Sequence, residues 1–207
     1  TELRHSPVVS ARLHALSEVA ATVGAAQIQN RGTIGGNVCN ASPAGDTLPV
    51  LLAVDAVFEC GSTEGIREVP AREFWTGYRQ TAMREDELLV RIRFAVDRSR
   101  HTRYRKVGTR AAQAISKVVL ALSYRDDEGT WRDVRVALGS VAPTTIRAAA
   151  TEAVLEGSRP TEAVADEASR VLADEINPID DVRSTADYRR SVSGRVLHRL
   201  LREEGGW

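Results

Sequence analysis

The sequence predicts an α+β fold: a mainly antiparallel sheet subdomain over residues 1–98, then over 102–207 a small antiparallel sheet packed with a three-helix C-terminal bundle. Three observations carry this. Short strand-like runs separated by hairpin-type turns fill the first half. Two longer runs, Ile115 to Tyr124 and Arg132 to Val141, are joined by the turn sequence RDDEGTW and so pair antiparallel. After Pro143 the apolar spacing switches to a helical period and keeps it to the end of the chain.

The first element is a helix over Pro7 to Val23, with Leu13, Leu16, Val19, Ala20 and Val23 on one buried face, ended by Gly24. A glycine-bearing stretch from Gln29 to Asp46 follows. Asp46 then precedes TLPVLLAV, where a carboxylate ahead of an apolar run with a nearby proline marks a helix start. Strands over Ala56 to Cys60 and Ile66 to Val69 flank GSTEG, which is hairpin chemistry. Leu88 to Phe94 and Arg103 to Val107 read as two more strands. Between them AVDRSRHT lacks apolar periodicity and is the candidate boundary. The C-terminal helices are placed at Thr145 to Leu155, Thr161 to Ile176 and Thr185 to Arg202. The last has Tyr188, Val192, Val196, Leu197, Leu200 and Leu201 on one face, with Ser184 and Asp187 resembling a capping box.

Composition fits a soluble globular chain: 207 residues, 43% hydrophobic and 27% charged. The 28 basic and 28 acidic residues cancel, which argues against an electrostatic nucleic-acid binder. Arg98, Arg100, Arg103, Arg105 and Lys106 form a short basic cluster expected to be a solvated strand face. Cys39 and Cys60 are too few and too far apart for a disulfide framework or a metal site. His5, His14, His101 and His198 lack ligand spacing, so no metal is assigned to this chain. No apolar run approaches a membrane span and no leader pattern opens the sequence, so a cytoplasmic protein is expected.

The chemistry concentrates in QNRGTIGGNVCNASPAGD, Gln29 to Asp46. Gly35 and Gly36 lack Cβ, so their backbone can take positive φ and turn successive N–H groups toward an anion. Thr33 and Asn37 flank the pair and can add side-chain donors. An ordinary glycine-rich turn is the other available reading. Asp46 has a structural job open to it as a helix N-cap, worth about 1 kcal/mol. No nucleophile or general acid–base pair is visible anywhere in the chain.

The segment NRGTIGGN, followed by Asp46 within ASPAGD, resembles the second flavin-binding segment of the FAD subunit of molybdenum hydroxylases. That is the family of the carbon monoxide dehydrogenase medium subunit and the xanthine dehydrogenase flavin domain. TELRHSPVV, PAREFWTGYRQTAMREDELLVRI, YRKVGTRAAQAISKV and INPIDDVRSTADYRRSVSGRVLHRLL are similar to that family's segments in the same order. The family's first Gly-Gly flavin loop, in an N-terminal subdomain, has no counterpart in these 207 residues.

The resemblance implies that residues 1–98 are the second FAD-binding subdomain and 102–207 the C-terminal flavoprotein domain. It implies FAD as cofactor, with Thr33, Ile34, Gly35, Gly36 and Asn37 holding the pyrophosphate and Asp46 accepting from the adenosine end. Leu89 and Lys106 fall where the family has residues near the flavin ring. A buried-strand leucine and a surface-strand lysine are their plain alternatives. It further implies partners: a large subunit carrying the molybdenum cofactor and a small subunit carrying 2Fe-2S clusters, commonly as a dimer of heterotrimers. Electrons would pass from those clusters to FAD and on to an acceptor such as NAD or a quinone. Two other readings are a self-contained flavin oxidoreductase of the vanillyl-alcohol oxidase type and a flavin-free scaffold subunit.

Overall fold

The computed structural model describes residues 1–110 and 113–207. Six short helices come first: α1 (Glu2–His5), α2 (Pro7–Arg12), α3 (His14–Thr22), α4 (Ala26–Arg31), α5 (Ile34–Cys39) and α6 (Leu48–Ala53). Then come β1 (Val57–Ser62), β2 (Gly65–Pro70), α7 (Ala71–Phe74), β3 (Trp75–Gly77), β4 (Gln80–Thr81) and β5 (Leu88–Arg93). The second half runs β6 (Arg100–Val107), β7 (Val118–Asp127), β8 (Thr130–Gly139), β9 (Ile146–Arg147), α8 (Ala149–Leu155), α9 (Glu162–Glu175) and α10 (Ala186–Gly205). Pairing is antiparallel in all three sheets, ordered β2-β1-β5, β3-β4 and β6-β7-β8-β9. The architecture is the α+β arrangement expected.

The helix expected over Pro7 to Val23 is broken into α2 and α3 at Leu13, whose φ of −149° and ψ of 73° are not helical. The break turns the Leu13 side chain inward, where it is buried. The strand after the proposed boundary starts earlier than expected: Arg100, His101 and Thr102 are already in β6 and face Arg125, Tyr124 and Ser123 of β7. The turn RDDEGTW closes β7 onto β8 through Glu128 and Gly129, at φ of 52° and 84°. Two successive left-handed residues are what a two-residue hairpin matching strand twist requires.

Two cores share the four-stranded sheet. Val118, Leu120, Leu122 and Tyr124 of β7 pack with Leu155 of α8, Leu172 of α9 and Leu197, Leu200 and Leu201 of α10. Val119 and Ala121, the alternate residues of the same strand, join α6 and the aromatic group Phe58, Phe74 and Trp75. This is the period-two geometry of a strand covered on both faces. All six residues of α6 are buried because that helix lies against β7 and β8. Among the described residues no helix is long and apolar enough to cross a membrane.

Helix α10 departs from its expected face. Tyr188 is 42% exposed, while Arg189 is 4% exposed and lies inside. Its guanidinium donates to the carbonyls of Lys117 and Ser140 and to Asp181, which is how a buried cation is tolerated. The cap is Thr185, whose hydroxyl accepts from Tyr188 N, rather than the Ser184 and Asp187 pair.

The basic cluster is also not a free solvated face. Arg100 pairs with Asp133, Arg103 with Glu204, Arg105 with Glu203 and Lys106 with Asp46. Carboxylates from β8, α10 and the loop before α6 thus meet the cations of β6 one by one.

Candidate functional site

Gly35 and Gly36 sit inside α5 and not in a positive-φ turn. Neither is among the left-handed residues, and the expectation of a backbone nest is corrected to the first turn of a helix. Thr33, at φ −112° and ψ 154°, caps that turn: its hydroxyl accepts from Gly36 N at 2.9 Å. The amides of Ile34 and Gly35 have no carbonyl behind them and carry no hydrogen bond among the described residues. The two glycines do different things. A Cβ on Gly36 would stand 3.0 Å from Thr33 Oγ1, against the cap. One on Gly35 would meet Leu89 Cδ2 at 3.8 Å, on the side of β5.

A cleft of about 1110 Å³ opens beside this turn, and its walls include Thr33, Ile34, Gly36, Asn37 and Thr47. The helix is held in place from beneath by Trp75, whose Nε1 donates to the Val38 carbonyl at 3.1 Å. Trp75 is itself fixed edge-on against Phe58 and Phe74, with centroids 5.5 and 5.8 Å away. Asn37 Oδ1 accepts from the Thr47 hydroxyl at 2.6 Å, which ties α5 to the start of α6.

Asp46 is not the N-cap of α6; Thr47 occupies that position. Asp46 is instead buried and ion-paired, its Oδ2 accepting from Lys106 Nζ at 2.6 Å, while Oδ1 is buried without a partner. Burial pushes the Asp46 carboxyl up, opposed by the Lys106 ammonium. Lys106 also donates to the Thr22 carbonyl at 3.1 Å. The Thr22 hydroxyl donates to the Val19 carbonyl and so accepts from Tyr104 OH at 3.0 Å. Burial, together with the Asp46 charge, holds the Tyr104 phenol well above its usual range. Asp46, Lys106, Thr22 and Tyr104 therefore form one polar unit joining α3, β6 and the loop before α6.

Of the residues singled out in the sequence, Thr33, Ile34, Gly36 and Asn37 come together on the cleft. Gly35 stands against Leu89 of β5, and Asp46 and Lys106 meet each other. These last two stand 2.6 Å apart as an ion pair. Thr22, Thr47, Trp75 and Tyr104 were not legible as site residues. Thr47 had a weak signal, as the lone hydroxyl opening an apolar run, and Tyr104 another, as an aromatic among five basic neighbours.

Comparison with known proteins gives a consistent picture. A family model described as the FAD binding domain in molybdopterin dehydrogenase matches residues 1–95, and one described as the CO dehydrogenase flavoprotein C-terminal domain matches residues 103–204. The carbon monoxide dehydrogenase medium chain of Hydrogenophaga pseudoflava is 32% identical over 201 residues, covering 97% of this chain and 70% of that protein. The xanthine dehydrogenase FAD-binding subunit of Escherichia coli O157:H7 is 28% identical over 212 residues, covering 100% of this chain and 73% of that one. A solved structure, carbon monoxide dehydrogenase from Hydrogenophaga pseudoflava lacking the Mo-pyranopterin moiety of its molybdenum cofactor, superposes with a TM-score of 0.92. It is 34% identical and covers 96% of this chain and 69% of that one.

Proposed function

The chain belongs to the family of FAD-binding medium subunits of molybdenum hydroxylases, and from that premise we propose that it is the electron-transfer component of a multi-subunit oxidoreductase. The observation that carries the site is the first turn of α5. Two open backbone amides and a carboxamide line or adjoin a cleft from which Gly36 withholds any side chain. That donor set fits a diphosphate, whose oxygens accept and do not donate.

When bound, FAD supplies the redox chemistry, taking electrons from one partner and delivering them to another. The chain's residues do the holding. Thr33 keeps the first turn of α5 in shape by taking the Gly36 amide, so that the open amides of Ile34 and Gly35 and the Asn37 carboxamide present donors to the diphosphate. Leu89 closes the β5 side of that turn. Asp46 and Lys106 act as one polar unit toward the cofactor, with Asp46 Oδ1 the acceptor left unpaired. Residues 1–98 are the FAD-binding segment in this reading and 102–207 the C-terminal flavoprotein segment.

The wider reading has electrons arriving from 2Fe-2S clusters on a small partner subunit. They originate at a molybdenum cofactor on a large one and leave to an acceptor such as NAD or a quinone. A dimer of heterotrimers and a cytoplasmic location belong to the same proposal. The names of the relatives support it, since they are medium chains and FAD-binding subunits of dehydrogenases.

The test is purification of the protein with whatever chains accompany it, followed by flavin and metal analysis. Flavin absorbance that Gly36→Val abolishes, with a molybdenum-bearing chain in the same complex, is the expected result. A colourless complex that takes up no added FAD would overturn the assignment.

A further inference from the structure

Thr47 stands at the N-cap of α6 without capping it: its backbone is at φ −78° and ψ −20°, and its side chain accepts no hydrogen bond from the helix amides. Threonine at that position ordinarily serves those amides. Here the hydroxyl is turned the other way, across to Asn37 on α5, at 2.6 Å. Thr47 is 4% exposed, so a hydroxyl hydrogen there needs an acceptor.

That need fixes which end of Asn37 points where. With Oδ1 toward Thr47, the single hydroxyl hydrogen is used. With Nδ2 there instead, the nitrogen would donate to the hydroxyl oxygen, and the hydroxyl hydrogen would be buried without an acceptor among the described residues. The first arrangement wins, and the two hydrogens of Nδ2 are left for the cleft that Asn37 lines.

We propose that Thr47 is a positioning residue for the cofactor's diphosphate: its hydroxyl locks the Asn37 carboxamide so that the nitrogen, and not the oxygen, faces the cleft. The distinction matters because an inward-facing oxygen would repel phosphate oxygens where the nitrogen donates to them. The proposal rests on the FAD-binding reading above. It adds a second residue of the cleft wall, one that acts through Asn37 and sets the sign of that residue's contact.

The test is a titration of the assembled protein, stripped of flavin, with FAD and separately with ADP, which carries the diphosphate without the flavin. Thr47→Val should weaken both ligands by a similar factor, roughly tenfold to a hundredfold, the size of one hydrogen bond to a charged group. Thr47→Ser should bind as the unaltered protein does, because it restores the hydroxyl. The double variant Thr47→Val with Asn37→Ala should bind no more weakly than Asn37→Ala alone, since the two act through one contact. Should Thr47→Val melt too low to titrate, Thr47→Ala removes the same hydroxyl with less bulk and is read by the same criteria. Unchanged affinity in the hydroxyl-less variant, a weak Thr47→Ser, or losses that multiply in the double variant would each overturn the proposal. If the unaltered protein binds no FAD, the parent reading fails, and that arm is measured without any change at Thr47.

Discussion

Lys106 Nζ lies 2.6 Å from Asp46 Oδ2 in a site where both side chains are about nine-tenths buried, and the second Asp46 oxygen has no partner among the described residues. A pair in that position is a poor source of net stability but a costly one to break.

Replacing Lys106 by methionine should therefore destabilise the protein by about 3 to 5 kcal/mol in urea denaturation, because it strands a buried carboxylate. Adding Asp46→Asn should recover part of the loss. The sign with pH follows from burial, which raises the Asp46 carboxyl above 3.8. A raised acid contributes stability below that unfolded value and loses it as pH rises through the folded one. The Lys106→Met defect should shrink on acidification, and a pH-independent defect would count against the stranded carboxylate.

Gly36→Val should cost flavin retention with little loss of overall helicity. Its Cβ would already stand 3.0 Å from Thr33 Oγ1, and the extra methyls displace the hydroxyl from Gly36 N. The loss of that cap is worth about 1 kcal/mol, so a modest drop in Tm beside a large drop in bound flavin is the expected pattern. Full flavin occupancy would refute the assignment of the turn.

Glu87 should govern part of the acid limb of stability. The Arg67 guanidinium clasps both of its oxygens and the Arg84 amide donates to it, lowering its pKa from 4.5 to about 2. A depressed carboxylate contributes stability above the unfolded value and loses it as pH falls toward the folded one. Denaturation midpoints of Glu87→Gln measured from pH 6 downward should fall less between 4.5 and 2 than those of the unaltered protein.

Arg189→Met should lower stability by about 1 to 3 kcal/mol, the cost of leaving a buried polar group without its donor. It leaves the Ser140 carbonyl and Asp181 without their buried donor. The effect should appear as a lower Tm with flavin content per folded molecule unchanged, because Arg189 is remote in sequence and contact from α5.

Much of the fold was legible because its signals are local. The β7–β8 hairpin announces itself in RDDEGTW, and α9 and α10 in their apolar spacing. What escaped depended on contacts distant in sequence. The inward turn of Leu13 that breaks the first helix is set by packing and not by any breaker residue. Arg189 reads as a surface cation until Lys117 and Ser140, 72 and 49 residues away, supply carbonyls for it. In the site, glycines suggested a positive-φ nest, but Gly36 is helical and useful for the side chain it lacks. Asp46 and Lys106 were each singled out, yet nothing in a linear sequence shows that residues 60 apart share a proton's width of space.

The alternation along β7, with Leu120 and Leu122 to one side and Val119 and Ala121 to the other, gives the two halves a party wall. Neither half owns it. A chimaera that swapped residues 102–207 for those of a relative would import a wall shaped for another chain's α6, and the mismatch would be felt on the flavin side, far from the graft's own helices.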